Sequence, residues 1–116
     1  MGVLSHIVEL RTWPTTTLTD ATSVTADTEI IELSTIIENT DVSFISIQCA
    51  FSVAGQLYVQ DENGNKMYLT DPSQDYPAKF QILSTFLVKK GKTMSLRYTS
   101  SGTMYHLIVV TNGGLF

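Results

Sequence analysis

The chain has 116 residues, 43% of them hydrophobic and 16% charged, with a formal net charge of −4. That length makes one domain, large enough to bury a core without a disulfide or metal staple. The acidic balance opposes a nucleic-acid partner, no run approaches the roughly 18 apolar residues of a membrane span, and the lone Cys49 excludes an intrachain disulfide.

The first ten residues, MGVLSHIVEL, lack the basic start and cleavable apolar core of a secretory signal. His6 stands where a myristoylation motif wants Ser or Thr. The expectation is synthesis in a cytosol without export by the usual route. Residues 3–12 read as a strand with Leu4, Val8 and Leu10 on one parity, ended by Trp13-Pro14. Residues 15–28 hold eight Ser or Thr in fourteen positions. Such a stretch has too little apolar surface to offset its ordering entropy unless it lies along another surface. The division this suggests is an N-terminal arm over 1–13, a Thr-rich tether over 14–28 and a β-sandwich domain over 29–116.

From Glu29 the pattern changes. EIIELSTII is ambiguous by periodicity, but its β-branched residues favour a strand, or two short strands broken near Ser34. Glu38–Asp41 is a turn. Residues 42–53 alternate, with Ile45, Ile47, Cys49 and Phe51 on one face and Ser46, Gln48 and Ala50 on the other. Residues 56–60 and 66–70 flank DENGN, and Asn63-Gly64 between alternating runs is a strong hairpin signal. It would set Leu57 and Val59 facing the core opposite Met67 and Leu69, with Tyr58 and Tyr68 on the other face. After a loop with two prolines, FQILSTFLV (80–88) is apolar on both parities, as in a strand buried on both sides. A basic turn follows at Lys89–Lys92. Residues 93–99 and 103–111 are the last two strands, joined by Ser100-Ser101-Gly102. About eight short strands at near-regular spacing predict an all-β sandwich of jelly-roll kind. Its expected core is Ile45, Ile47, Cys49, Phe51, Leu57, Phe80, Ile82, Phe86, Leu96, Tyr98, Ile108 and Val110.

Nothing marks catalysis. Asp61, Asn63 and Asn65 alternate as in a calcium loop, but the loop's glycine should come one residue later and Pro72 stands where its bidentate Glu belongs. His6 and His106 lie on separate strands without acidic sequence neighbours, and no second cysteine supports zinc. No nucleophile elbow accompanies the many serines. The expectation is no enzyme, no cofactor and no metal. Trp13, Tyr58, Tyr68, Tyr76, Tyr98 and Tyr105 could stack on sugar rings, although cross-strand pairing explains Tyr58 and Tyr68 equally. Charge is uneven: all eleven acids fall in residues 1–75 with only Arg11 and Lys66, while residues 76–116 carry five basic residues and no acid. Either the sheets mix the two halves or they form complementary faces between subunits.

The run FQILSTFLVKKGKTMSLRYTSSGTMYHLIVV resembles the closing strands of small jelly-roll virion proteins of bacterial and archaeal viruses. The likeness is carried by the basic glycine turn Lys89–Lys92 feeding an alternating strand, and by Arg97–Gly102 turning into a long hydrophobic strand. It spans roughly residues 29–111 and is similar to sugar-binding sandwiches as well. It implies a capsid, decoration or fibre subunit, made in a host cytoplasm and resident in a virion, or else cytoplasmic. The expected partner is a second copy of the chain, with other virion proteins or a host surface glycan beside it. An arm ahead of a polar stretch suggests a strand lent to a neighbour, with Leu4, Val8, Leu10 and Trp13 as its interface residues. The alternatives are a carbohydrate-binding sandwich or a receptor-binding tip domain.

Overall fold

A computed structural model describes residues 15–36, 42–89 and 92–111. The arm residues Leu4, Val8, Leu10 and Trp13 lie outside the described residues. Nine strand segments form the fold: β1 (Thr15–Thr19), β2 (Thr22–Val24), β3 (Ile31–Glu32), β4 (Val42–Phe51), β5 (Leu57–Gln60), β6 (Lys66–Tyr68), β7 (Ile82–Lys89), β8 (Ser95–Tyr98) and β9 (Gly102–Thr111). The larger sheet has the order β1-β9-β4-β7, with β2 also on β9, and the smaller has the order β3-β8-β5-β6. Every pairing is antiparallel. The chain is an all-β sandwich.

The Thr-rich stretch is not a free tether. Thr15–Thr19 pairs with Leu107–Thr111, and Thr22–Val24 pairs with Gly102–Met104 in the same register. Two unpaired residues, Asp20 and Ala21, separate one edge strand into β1 and β2. The reason is local: threonine is β-branched and holds an extended backbone, and β9 offers the other surface on which such a polar stretch can order. The sandwich therefore includes Thr15–Val24, ahead of residue 29. Counting β1 and β2 as one position leaves eight.

The core between the sheets includes Leu33, Ile45, Ile47, Cys49, Phe51, Leu57, Ile82, Leu96, Tyr98, Met104, Leu107 and Val109. Three expected members are elsewhere. Phe80 precedes β7 and is 63% exposed. Ile108 and Val110 are half-buried on the opposite face of β9. The register between β4 and β9 shifts at Ala50/Phe51, where Met104 and His106 pair with successive residues and Tyr105 is extra. This bulge lets Met104, Leu107 and Val109 all point inward, which strict alternation forbids.

EIIELSTII forms only the two-residue β3 and then a 3-10 turn, Leu33–Ile36. Glu32 causes the break. Its Oε2 accepts from the Ser34 hydroxyl (2.7 Å) and the Met94 amide (2.6 Å), and its carbonyl accepts from the Thr35 hydroxyl (2.7 Å). These side-chain bonds compete with a sheet ladder.

The hairpin forms as its residues predict, with Tyr58 opposite Tyr68 and Val59 opposite Met67. Gly64 takes φ 84°, and the Asp61 carboxylate accepts from the Asn63 and Asn65 amides at 2.9 and 2.8 Å. Met67 is nonetheless 42% exposed, because β6 is the last strand of its sheet. Gly55 is fixed by a close approach: an added Cβ would lie 2.8 Å from the Tyr98 ring. That ring stacks on Phe51 at 3.7 Å, and its hydroxyl donates to the Val53 carbonyl at 2.7 Å.

Candidate assembly surface

The outward faces of the two sheets differ. On the smaller sheet, residues 25–30 run along the edge of β8 on the way from β2 to β3, where the Ile30 amide donates to the Leu96 carbonyl and Asp27 reaches over Tyr58. The Tyr58 hydroxyl donates to Asp27 Oδ1 (2.7 Å), Arg97 Nη1 donates to the Asp27 carbonyl (2.8 Å), and the Asp27 amide donates to the Tyr98 carbonyl (2.8 Å). Asp27 adopts φ 58° to do this. Tyr58, placed by alternation on the face away from Leu57 and Val59, is thereby buried. Burial and then the Asp27 bond push the Tyr58 hydroxyl up to about 12.

The larger sheet has no such cover over β7 among the described residues. Directly opposed residues share a face, so the rows can be read across it. Leu83 lies opposite Gln48, which lies opposite Ile108. Thr85 lies opposite Ser46, and Ser46 opposite Val110, with the two hydroxyls 2.9 Å apart. Leu87 lies opposite Phe44. Leu83 is 70% exposed and Leu87 54%. Within these rows no residue is charged.

β7 pairs with β4 on one side and, among the described residues, with no strand on the other. The expectation of a strand buried on both sides is overturned: its inward residues Ile82 and Phe86 meet the core while its outward leucines face solvent. Apolarity on both parities was the signal, and it marked an edge that the described residues leave without a partner strand. Near the start of β7 a pocket of about 310 Å³ is lined by Leu69, Asp71, Asp75, Tyr76, Ile82 and Leu83, among others. The Ser73 hydroxyl and amide hold the Asp71 carboxyl below its ordinary range.

The chemistry on offer is sparse. Burial pushes the Cys49 thiol up to about 12, which keeps it a neutral hydrophobe. The Asp61 carboxyl is held low by its turn donors, Asn65 first. His106 Nε2 meets Gln81 Nε2 at 2.9 Å, and no cluster of three His, Cys, Asp or Glu occurs among the described residues. Tyr58 and Tyr98 are core residues, while the exposed Tyr68 and Tyr105 belong to different sheets, so these rings share no platform. Acidic and basic halves meet in the smaller sheet, where β8 with Arg97 lies between β3 with Glu32 and β5. Among the described residues no helix is long and apolar enough to cross a membrane. No protein-family model, curated protein or solved structure matches the chain.

Proposed function

We propose that this chain is a non-enzymatic structural subunit that assembles with copies of itself, as a capsid, decoration or fibre component of a virion, and that residues 3–12 pass to a neighbouring subunit. The observation that carries the reading is the uncharged, leucine-bearing face and open edge at β7. Natural sheets blunt such edges unless another chain covers them.

Support for a jelly-roll virion subunit comes from the strand pairing. With β1 and β2 as one position, the eight positions pair first with last, second with seventh, third with sixth and fourth with fifth. One long hairpin rolled into two sheets, as in a double Greek key, would pair its strands in this way. Support for the arm comes from where β1 begins. Thr15 lies opposite Thr111, so residues 1–14 join an edge strand directly. In sequence, the residue before a proline is biased toward extended conformations, which would suit an arm running on to a neighbour's edge. The added strand satisfies unpaired backbone groups at an edge other than that of β7 and buries Leu4, Val8 and Leu10, worth roughly 5–8 kcal/mol before ordering costs.

Light scattering and electron microscopy of a chain lacking residues 2–13 test this. The expected result is a lower assembled mass and a protein that takes up an added 3–12 peptide. An unchanged assembly overturns the arm's role, and a full-length chain that stays monomeric at high concentration overturns self-assembly altogether.

A further inference from the structure

We propose that the outer edge of β7 is the seam between two copies of this chain, β7 against β7, antiparallel about a two-fold axis through Thr85. The inference rests on the reading that the chain assembles with itself and goes beyond it by naming the surface and its register.

The first argument is the strand itself. β7 is eight residues long, and from Gln81 to Val88 it carries no charge and no proline. Its pairing with β4 runs without a register shift from Cys49/Ile82 to Val42/Lys89, so no bulge twists it away. Among the described residues, charge, proline and bulge, three devices by which sheets keep edges apart, are missing from Gln81 to Val88.

The second argument is self-complementarity. A two-fold axis makes the interface isologous, so the same patch must match itself. Opposed residues share a face, and a one-residue slip turns exposed side chains inward. The register centred on Thr85 sets Leu83 opposite the second copy's Leu87, Leu87 opposite its Leu83, and Thr85 opposite Thr85. Four exposed leucines then form one patch flanking a threonine pair, a favourable cross-strand combination. Centring one residue earlier opposes Leu87 to Gln81. Centring one residue later opposes Leu83 to Lys89. Neither gathers the leucines.

The third argument is charge. The start of β7 adjoins the pocket bearing Asp71 and Asp75, and Lys89 ends the strand with Lys90 and Lys92 close behind. Antiparallel pairing brings the carboxylates of each copy toward the lysines of the other. Lys79 at the first end softens the contrast. The uncharged middle brings no like charges face to face.

Thr85→Cys reads the axis directly. Its own thiol would meet the second copy's at a separation that antiparallel strands share with disulfides, about 4.5–5.5 Å between Cα atoms. Cys49, with its thiol buried and pushed up to about 12, does not compete. Under mild copper-phenanthroline oxidation the Thr85→Cys chain is expected to run mostly as a cross-linked dimer on a non-reducing gel, with or without residues 2–13. The parent chain is expected to show none. Leu83→Glu with Leu87→Glu, both exposed and so tolerable to the fold, is expected to keep the parental far-ultraviolet spectrum and lose the dimeric step in light scattering. A self-associating chain in which Thr85→Cys fails to cross-link, or in which the double variant keeps its assembled mass, overturns the seam and leaves self-assembly standing. A chain that never associates and never cross-links overturns both.

Discussion

Gly55 shows how one missing side chain organises one end of the core. Its amide donates to the Tyr76 carbonyl and its carbonyl accepts from the Tyr76 amide, while its bare Cα lets the Tyr98 ring lie flat on Phe51. In Gly55→Ala the new methyl would meet ring carbon below 3.0 Å, and the stack would have to shift. Overpacking of this kind costs about 1–3 kcal/mol, to be measured as a lowered urea midpoint at unchanged slope. The buried hydroxyls and thiol make a second prediction. Cys49, Tyr58 and Tyr98 are each raised to about 12, from ordinary values of 9.0, 10.0 and 10.0, with burial the leading cause in each. A raised folded value means the unfolded chain releases its protons first. Their contribution to stability is therefore complete below about pH 9 and lost as pH climbs toward 12. Denaturation midpoints are expected to fall over that window, and a flat profile between pH 9 and 11.5 counts against the burial of all three.

At the scale of elements, the sequence was most legible where alternation and turn chemistry agree. Ile45, Ile47, Cys49 and Phe51 point inward as their spacing predicts, and Asn63-Gly64 makes its hairpin. It was least legible where one element depends on another. The bulge at Tyr105 reverses the phase of the last strand, and no residue there signals it. Glu32 breaks its strand by binding Met94, sixty-two positions away. The polar stretch from Thr15 to Val24 looks free because its partner, β9, is the last strand of the chain. Hydrogen exchange separates an edge strand from a tether. Alternate amides from Thr15 to Val24 are expected to exchange slowly, since in an edge strand every second N–H faces the neighbour. The amides between them are expected to exchange quickly. Uniformly fast exchange over all ten residues would mean the stretch is unpaired in solution.

The described residues are wound so that their first and last strands meet. β1 and β2 lie on β9, and β4, the longest of the early strands, needs β9 on one side and β7 on the other. The larger sheet thus has no stable half: its N-terminal strands do not pair with one another, and each waits for a strand made late. Such non-local pairing closes large loops before any contact rewards it, which slows folding to about the millisecond-to-second range. It also makes the two termini unequal. Residues before Thr15 precede the first described strand, so removing residues 2–13 is expected to leave the far-ultraviolet spectrum and the cooperative melt in place. Stopping the chain after Ser101 removes Met104, Leu107 and Val109 from the core and strips both β4 and the Thr-rich strand of a partner. That truncated chain is expected to show no cooperative unfolding and no native sheet spectrum, and adding a 102–111 peptide is expected to restore both, because the missing strand fills a slot lined on three sides by residues already present. A 1–101 chain that melts cooperatively by itself would show that β9 is dispensable and that the rolled hairpin is not what holds the sheets together.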